Sequence, residues 1–265
     1  MYFIGVDLAW GERKPTGVAV LDDGGRLVHL GVAGDDASIL ALLGPYAEGD
    51  CLVAIDAPLV VTNPSGNRRC EAELNRDFRA FDAGAHPSNT SRPWFADGGR
   101  GARLTRALDL NATSRRQAIE VYPHAASVAL FHLDRTLKYK QKQGRDTAQL
   151  KRELLRLIEL IETLRDADPP LWLGPDWHHI RQAVADATRK FELRRAEDPV
   201  DAVICAYVAL YAKHRPDDVT TYGEPDSGCI VTPSLRHEDH GRQPKSIAPT
   251  QLCIDGPVRQ PPRKR

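Results

Sequence analysis

The run YFIGVDLAWGERKPTGVAVLDDGGRLVHLGV, residues 2–32, decides how this chain folds. Tyr2 to Asp7 is apolar up to a closing carboxylate and reads as a buried strand. Gly17 to Leu21 (GVAVL) reads as a second strand, and Arg26 to Val32 as a third. Asp23-Gly24-Gly25 between the last two is a hairpin turn, because glycine accepts positive φ at no steric cost. Next, Asp35 or Asp36 caps a helix running to about Tyr46, with Ile39, Leu40, Leu42 and Leu43 on its apolar face. Cys51 to Ile55 is a fourth strand and also ends in a carboxylate, Asp56. A helical crossover into that strand predicts that it lies parallel to the first. Asp7 and Asp56 then meet at one edge of the sheet, just past two C-terminal strand ends, where open α/β sheets place their ligands.

Farther out, residues 62–116 break the rhythm: Arg, Asn, Gly, Pro and Ser dominate, Trp94 and Phe95 stand in the middle, and the piece near Arg69 to Phe81 is helical. Long irregular segments in compact domains are usually functional or mobile. Gln117 to Val121 resumes a strand containing Glu120, followed by a helix from His124 to about Phe131. Asp146-Thr147 opens a long helix with Leu150, Leu154, Leu157, Ile158 and Ile161 at helical spacing. A helical stretch near Trp177 to Thr188 comes next. Asp198-Pro199 reads as the N-cap and first position of another helix reaching about His214, and Thr220–Tyr222 with Cys229–Val231 as a late hairpin. Residues 1–233 therefore read as one α/β domain with an insertion at about 62–116, and residues 234–265 as a polar, proline-rich tail expected to be disordered.

Composition narrows the function classes. Lys plus Arg and Asp plus Glu number 36 each, so no global charge pulls the chain toward a polyanion or a membrane, and nucleic-acid binding must rest on local patches. Tight non-specific duplex binding, which needs many neutralised phosphates, is disfavoured. The basic terminus (PPRKR) is such a patch, so deleting residues 259–265 should weaken binding and flatten its salt dependence. Five scattered cysteines without a C-x-x-C pair argue against structural zinc and for a reduced, cytoplasmic setting. No stretch reaches membrane-spanning length, and the N-terminus lacks the pattern of a signal peptide.

The helix after Pro199 carries the third carboxylate. Residues 202–212 (AVICAYVALYA) are apolar nearly all round, so Asp201, placed in the first turn of a buried helix, needs a partner. A metal ion is one partner, and the helix N-terminus is a plainer one. Asp7 and Asp56, each taken alone, also suit turn positions. Together the three form a cluster of like charges that calls for cations, and all-oxygen ligation favours Mg²⁺ or Mn²⁺. Such a site suits two-metal hydrolysis of a phosphodiester.

These residues also carry a resemblance. GVDLAWGERKPTGVAVLD (5–22) resembles the first hairpin of ribonuclease H-like nucleases, and AIDAP (54–58) their fourth-strand acidic position. EDPVDAVICAYVA (197–209) resembles the D-x-x-D-A helix of RuvC-like resolvases. With NRRCE (67–71), HPSNTSRP (86–93), EVYPHA (120–125), KYK (138–140) and YGEPDSGCIVTP (222–233), the chain is similar over about residues 1–233 to a domain-of-unknown-function family of predicted ribonuclease H-like nucleases. That resemblance implies a ribonuclease H-like fold, with a central mixed sheet flanked by helices. It also implies Asp7, Asp56 and Asp201 as ligands with Asp198 as an auxiliary, and a nucleic-acid or nucleotide-like substrate. Within it, Glu120 is a further acid or a solvent-facing strand end. Arg68, Arg69 and Arg92 grip a phosphate or form surface ion pairs. Lys138 and Lys140 follow a backbone or form a solvated face. Trp94 stacks a base or anchors its loop. His86 and His124 read as ordinary hydrogen-bonded residues, and Cys205 as packing. Two rivals to the nuclease stand beside it. A phosphotransferase of the actin and sugar-kinase type would want glycine and hydroxyl residues after the first Asp, where Leu8-Ala9-Trp10 stand. A non-catalytic module would keep the fold and use its insertion and tail for binding.

Overall fold

The computed structural model describes residues 1–11 and 14–236; the tail from 237 onward, with the basic terminus, lies outside the described residues. Strands β1 (Tyr2–Asp7), β2 (Thr16–Leu21) and β3 (Leu27–Ala33) form an antiparallel meander. Helix α1 (Asp36–Ala47) is capped by Asp35, whose side chain accepts from Ser38 N–H at 2.8 Å, and delivers β4 (Cys51–Ile55). Helices α2 (Arg69–Phe78) and α3 (Gly99–Ala107) fill the insertion before β5 (Arg116–Glu120). Then come α4 (Pro123–Phe131), α5 (Thr147–Thr163), α6 (Pro175–Asp186), α7 (Lys190–His214) and the hairpin β6 (Val219–Glu224) and β7 (Gly228–Pro233).

The main sheet runs β3-β2-β1-β4-β5, with β1, β4 and β5 mutually parallel. Alternate residues of each strand enter separate apolar layers, as a pleated strand requires. Phe3, Ala19, Leu21, Leu52, Ala54 and Ile119 pack on the side of the sheet that α7 covers, with α4 and α5 packed in turn on α7. Ile4, Val6, Val18, Val20, Val53 and Ile55 pack on the other side, with Ile39 and Leu43 of α1 and Leu104 of α3. The pleat continues past the strands, so Asp7, two residues beyond Gly5, and Asp56, two beyond Ala54, share the α7 side.

Two glycines let α7 lie on the sheet. A Cβ on Gly5 would stand 2.0 Å from the Ala202 carbonyl oxygen, and one on Gly17 2.0 Å from that of Asp198. Those contacts bring the helix backbone onto β1 and β2 and seat Asp201 beside the end of β1.

Two expectations are corrected. The long helix does not begin at Asp198; it begins at Lys190, and Pro199 lies inside it. Asp198 is thus no N-cap, and Asp201 sits in the helix interior rather than in a first turn, so a helix dipole does not balance its charge. An interior proline costs about 3 kcal/mol. Burial of Leu193, Ala196, Val200 and the wall that follows outweighs it, since each large apolar side chain buried contributes about 1.5–3 kcal/mol. The insertion is also more ordered than its composition predicts: α3 runs from Gly99 within it. Gly98 and Gly99 hold φ of +87° and +84°, and a Cβ on Gly101 would stand 2.8 Å from the Pro58 carbonyl oxygen. Those glycines serve a turn and a close approach, not a loose loop.

Candidate active site

Because Val6 pairs with Ile55, the next residues, Asp7 and Asp56, stand side by side, and Asp56 N–H donates to the Val6 carbonyl at 2.9 Å. Asp201 reaches them from α7 with no exposed surface at all. Its two oxygens are met by consecutive residues of the segment between α4 and α5. Tyr139 OH donates to Oδ1 at 2.7 Å, and Lys140 Nζ stands 2.6 Å from Oδ2. The same ammonium is 3.8 Å from Asp7 Oδ2, a buried oxygen with no hydrogen-bond partner. Asp7, Lys14, Lys140, Arg194, Glu197 and Asp198 line a cavity of about 380 Å³ that opens onto this group.

The electrostatics follow from crowding. Burial holds the Asp7 carboxyl well above the usual range; Lys140 opposes that, while Asp201 and Asp56 reinforce it. Burial likewise lifts Asp56 to about 7, against Lys140 and with help from Asp201. Glu197 is raised to about 7, by burial first. Burial disfavours the Lys140 charge, but Asp201 and Asp7 outweigh it and hold the ammonium well above its ordinary value. Burial pushes His124 down to about 3, leaving a neutral imidazole whose Nδ1 lies 3.2 Å from Thr136 Oγ1.

The remaining expected residues lie elsewhere. Glu120, on the opposite pleat from Asp56, is neither solvent-facing nor free: it accepts from Leu59 N–H at 3.0 Å and from both terminal nitrogens of Arg68. Arg68 is itself only 3% exposed and donates further to Glu71 and the Val60 carbonyl. All its side-chain nitrogens are engaged, so it braces the insertion against β5 and does not present a fork to a phosphate. Arg69, largely exposed, pairs with Glu73 and Glu224, away from the carboxylates. Arg92 is half-buried ahead of the Pro93–Phe95 turn. Lys138 pairs with Asp82 at 3.0 Å, whereas Lys140 is no part of a solvated face. Trp94 is 51% exposed and leans on Trp10, ring centroids 6.3 Å apart. Trp10 also lines a small cavity of about 60 Å³ shared by Asp56, His86, Ser88, Glu120 and Tyr122. Cys205 is buried in α7, as packing requires.

A family model described as protein of unknown function (DUF429) matches residues 5–227. The chain belongs to that family. The DUF429 match takes in Asp7, Asp56, Glu120, Lys140, Asp198 and Asp201. No curated protein matches this DUF429 chain. No helix among its described residues is long and apolar enough to cross a membrane.

The sequence reading missed Tyr139, Lys14, Arg194 and Glu197. Tyr139 and Asp201 are 62 positions apart, and no periodicity couples an irregular segment to a helix interior. Only the KYK run hinted at it. Arg194 and Glu197 escape that reading because the Asp198-Pro199 signal starts the helix at Pro199, nine residues after its first residue, Lys190.

The donor chemistry fits a hard divalent cation: three carboxylates, one carrying a buried oxygen without a hydrogen bond, need more positive charge than one ammonium supplies. Lys140 Nζ stands against two of the three, Asp201 and Asp7. Among the described residues, no three His, Cys, Asp or Glu side chains stand at metal-holding distance.

Proposed function

We propose that this protein is a metal-dependent phosphodiesterase of the ribonuclease H-like kind, acting on nucleic acid. The observation that carries the reading is the convergence of Asp7, Asp56 and Asp201 from two parallel strand ends and a buried helix, with Asp7 on the lining of the cavity of about 380 Å³. The sheet supports it too, since an antiparallel meander leading into parallel strands, with carboxylates after the first and fourth, matches the resemblance seen in the sequence.

In this reading Asp7, Asp56 and Asp201 would hold Mg²⁺ or Mn²⁺, with Asp198 in reserve on the cavity wall. A divalent ion bound there supplies Lewis-acid activation of water and charge for the leaving oxygen. The chain does the rest. Lys14 and Arg194 line the cavity and offer positive charge to a phosphate. Glu197, held near 7, can accept or return a proton at neutral pH from the same wall. The solvent-facing Trp94, leaning on Trp10, offers a face for an unpaired base.

The test is Mn²⁺ titration calorimetry on the wild type and on Asp7→Asn/Asp201→Asn, with turnover of single-stranded, duplex and junction oligonucleotides. The double variant should lose both binding and turnover. Metal-dependent turnover that survives unchanged in it would end the proposal.

A further inference from the structure

Lys140 Nζ stands between two of the carboxylates that the metal reading requires, 2.6 Å from Asp201 Oδ2 and 3.8 Å from Asp7 Oδ2. A divalent ion held by Asp7 and Asp201 would compete with Nζ for the same two oxygens. Ammonium and divalent ion at that separation would also repel strongly in a site with little water. Both cannot sit there.

The rest of the Lys140 environment shows which one gives way. The neighbouring Tyr139 is 1% exposed and fixed by its bond to Asp201 Oδ1, so the backbone there is anchored. Arg145 holds the Lys140 carbonyl at 2.7 Å. The Lys140 side chain is different: it retains 30% exposure, lines the 380 Å³ cavity, and has open space toward Gln141, Glu197 and Asp198. Four flexible methylenes on a fixed backbone can carry the charge from the floor of the cavity to its wall, where two other carboxylates await it.

Resting on the metal reading of this site, we propose that Lys140 is a tethered counter-ion that occupies the cation seat between Asp7 and Asp201 and swings toward Glu197 and Asp198 when a divalent ion enters. The lysine offsets part of the carboxylate charge without metal, and it lowers metal affinity because every binding event must displace it. Its role is positional, with no covalent step.

Mn²⁺ affinity by calorimetry decides the matter on the full chain. Lys140→Gln removes the competing charge and should bind Mn²⁺ at least about tenfold more tightly than wild type. Lys140→Arg keeps the charge and should not. Independently, reductive methylation of the wild type, read by mass spectrometry, should modify Lys140 faster in saturating Mn²⁺ than in EDTA, because the displaced ammonium leaves the cluster. This second measurement stands even if Lys140→Gln fails to fold. Wild type that binds Mn²⁺ while Lys140→Gln binds equally or less tightly, or Lys140 labelling that metal leaves unchanged, overturns the proposal and leaves the metal site intact. No Mn²⁺ binding by wild type or variant overturns both.

Discussion

Replacing Glu120 with Gln strips one of two carboxylates from a buried guanidinium and leaves it only Glu71. Arg68, Glu71 and Glu120 are each at most 5% exposed, so breaking this buried pair should cost up to about 3–5 kcal/mol, less whatever Glu71 still compensates. Arg68→Met/Glu120→Leu removes both partners and should be less destabilised in urea than either single substitution. Additive losses in the double variant would show that the pair is not coupled. The same residue scale sets a pH dependence. Folded Asp56 and Glu197 hold their protons to about 7, while in the unfolded chain carboxyls lose them near 4. The folded state then binds more protons than the unfolded one across that interval, so stability falls as pH rises through it. His124, pushed down to about 3, acts oppositely, but only below its unfolded value of about 6.5. Between about pH 6.5 and 8, with EDTA present, the urea midpoint should therefore drop, and Asp56→Asn should flatten the drop. A midpoint that holds or rises over that window would contradict the assignment.

At the scale of elements, the four opening strands and α1 were legible because turn glycines, a capping aspartate and apolar runs all pointed the same way. The hairpin at the other end was legible for the same reason. The start of α7 was not. Asp198-Pro199 is a strong local helix-start signal, and it lost to tertiary burial of the turns before it. Helix α3 was illegible because glycine marks both loops and close packing, and only the neighbouring backbone at Pro58 tells which. In the site, Asp7 and Asp56 could be placed together because strand ends and register are sequence-readable. Their cation could not, since Lys140 comes from a segment without periodicity. The seat of α7 also makes a sharp prediction. Gly5→Ala puts a methyl group 2.0 Å from the Ala202 carbonyl oxygen. Overpacking of this severity should cost about 3 kcal/mol or more. Because the strain moves α7 off β1, Mn²⁺ affinity should fall along with the thermal midpoint. An alanine variant of unchanged midpoint would mean that the helix packs less closely than described.

For the whole molecule, the zero net charge of the sequence is compatible with an anionic substrate only if charge is sorted locally. The cavity does this sorting, with Lys14, Lys140 and Arg194 set among Asp7, Glu197 and Asp198. With so few cations on hand, grip on a substrate must lean on something besides phosphate, and Trp94 is the exposed aromatic nearest in kind to that task. Trp94→Ala should weaken binding of single-stranded oligonucleotide by about 1–3 kcal/mol, roughly 5- to 150-fold. Duplex affinity and the thermal midpoint should scarcely move, because half of the ring already faces solvent. A matching loss on duplex, or a large drop in midpoint, would reassign Trp94 to holding its loop.

The contact of Gly5 and Gly17 with α7 has a consequence for how far this sequence can drift. Most core positions tolerate exchange among apolar residues of similar volume. These two admit no side chain, because a helix backbone, not a movable side chain, occupies the space. A library of all single substitutions selected for folding should thus find many neighbours of the wild type along β1 and β2 but almost none through positions 5 and 17. Divergence of this lineage would run around those two residues while the strands between them change.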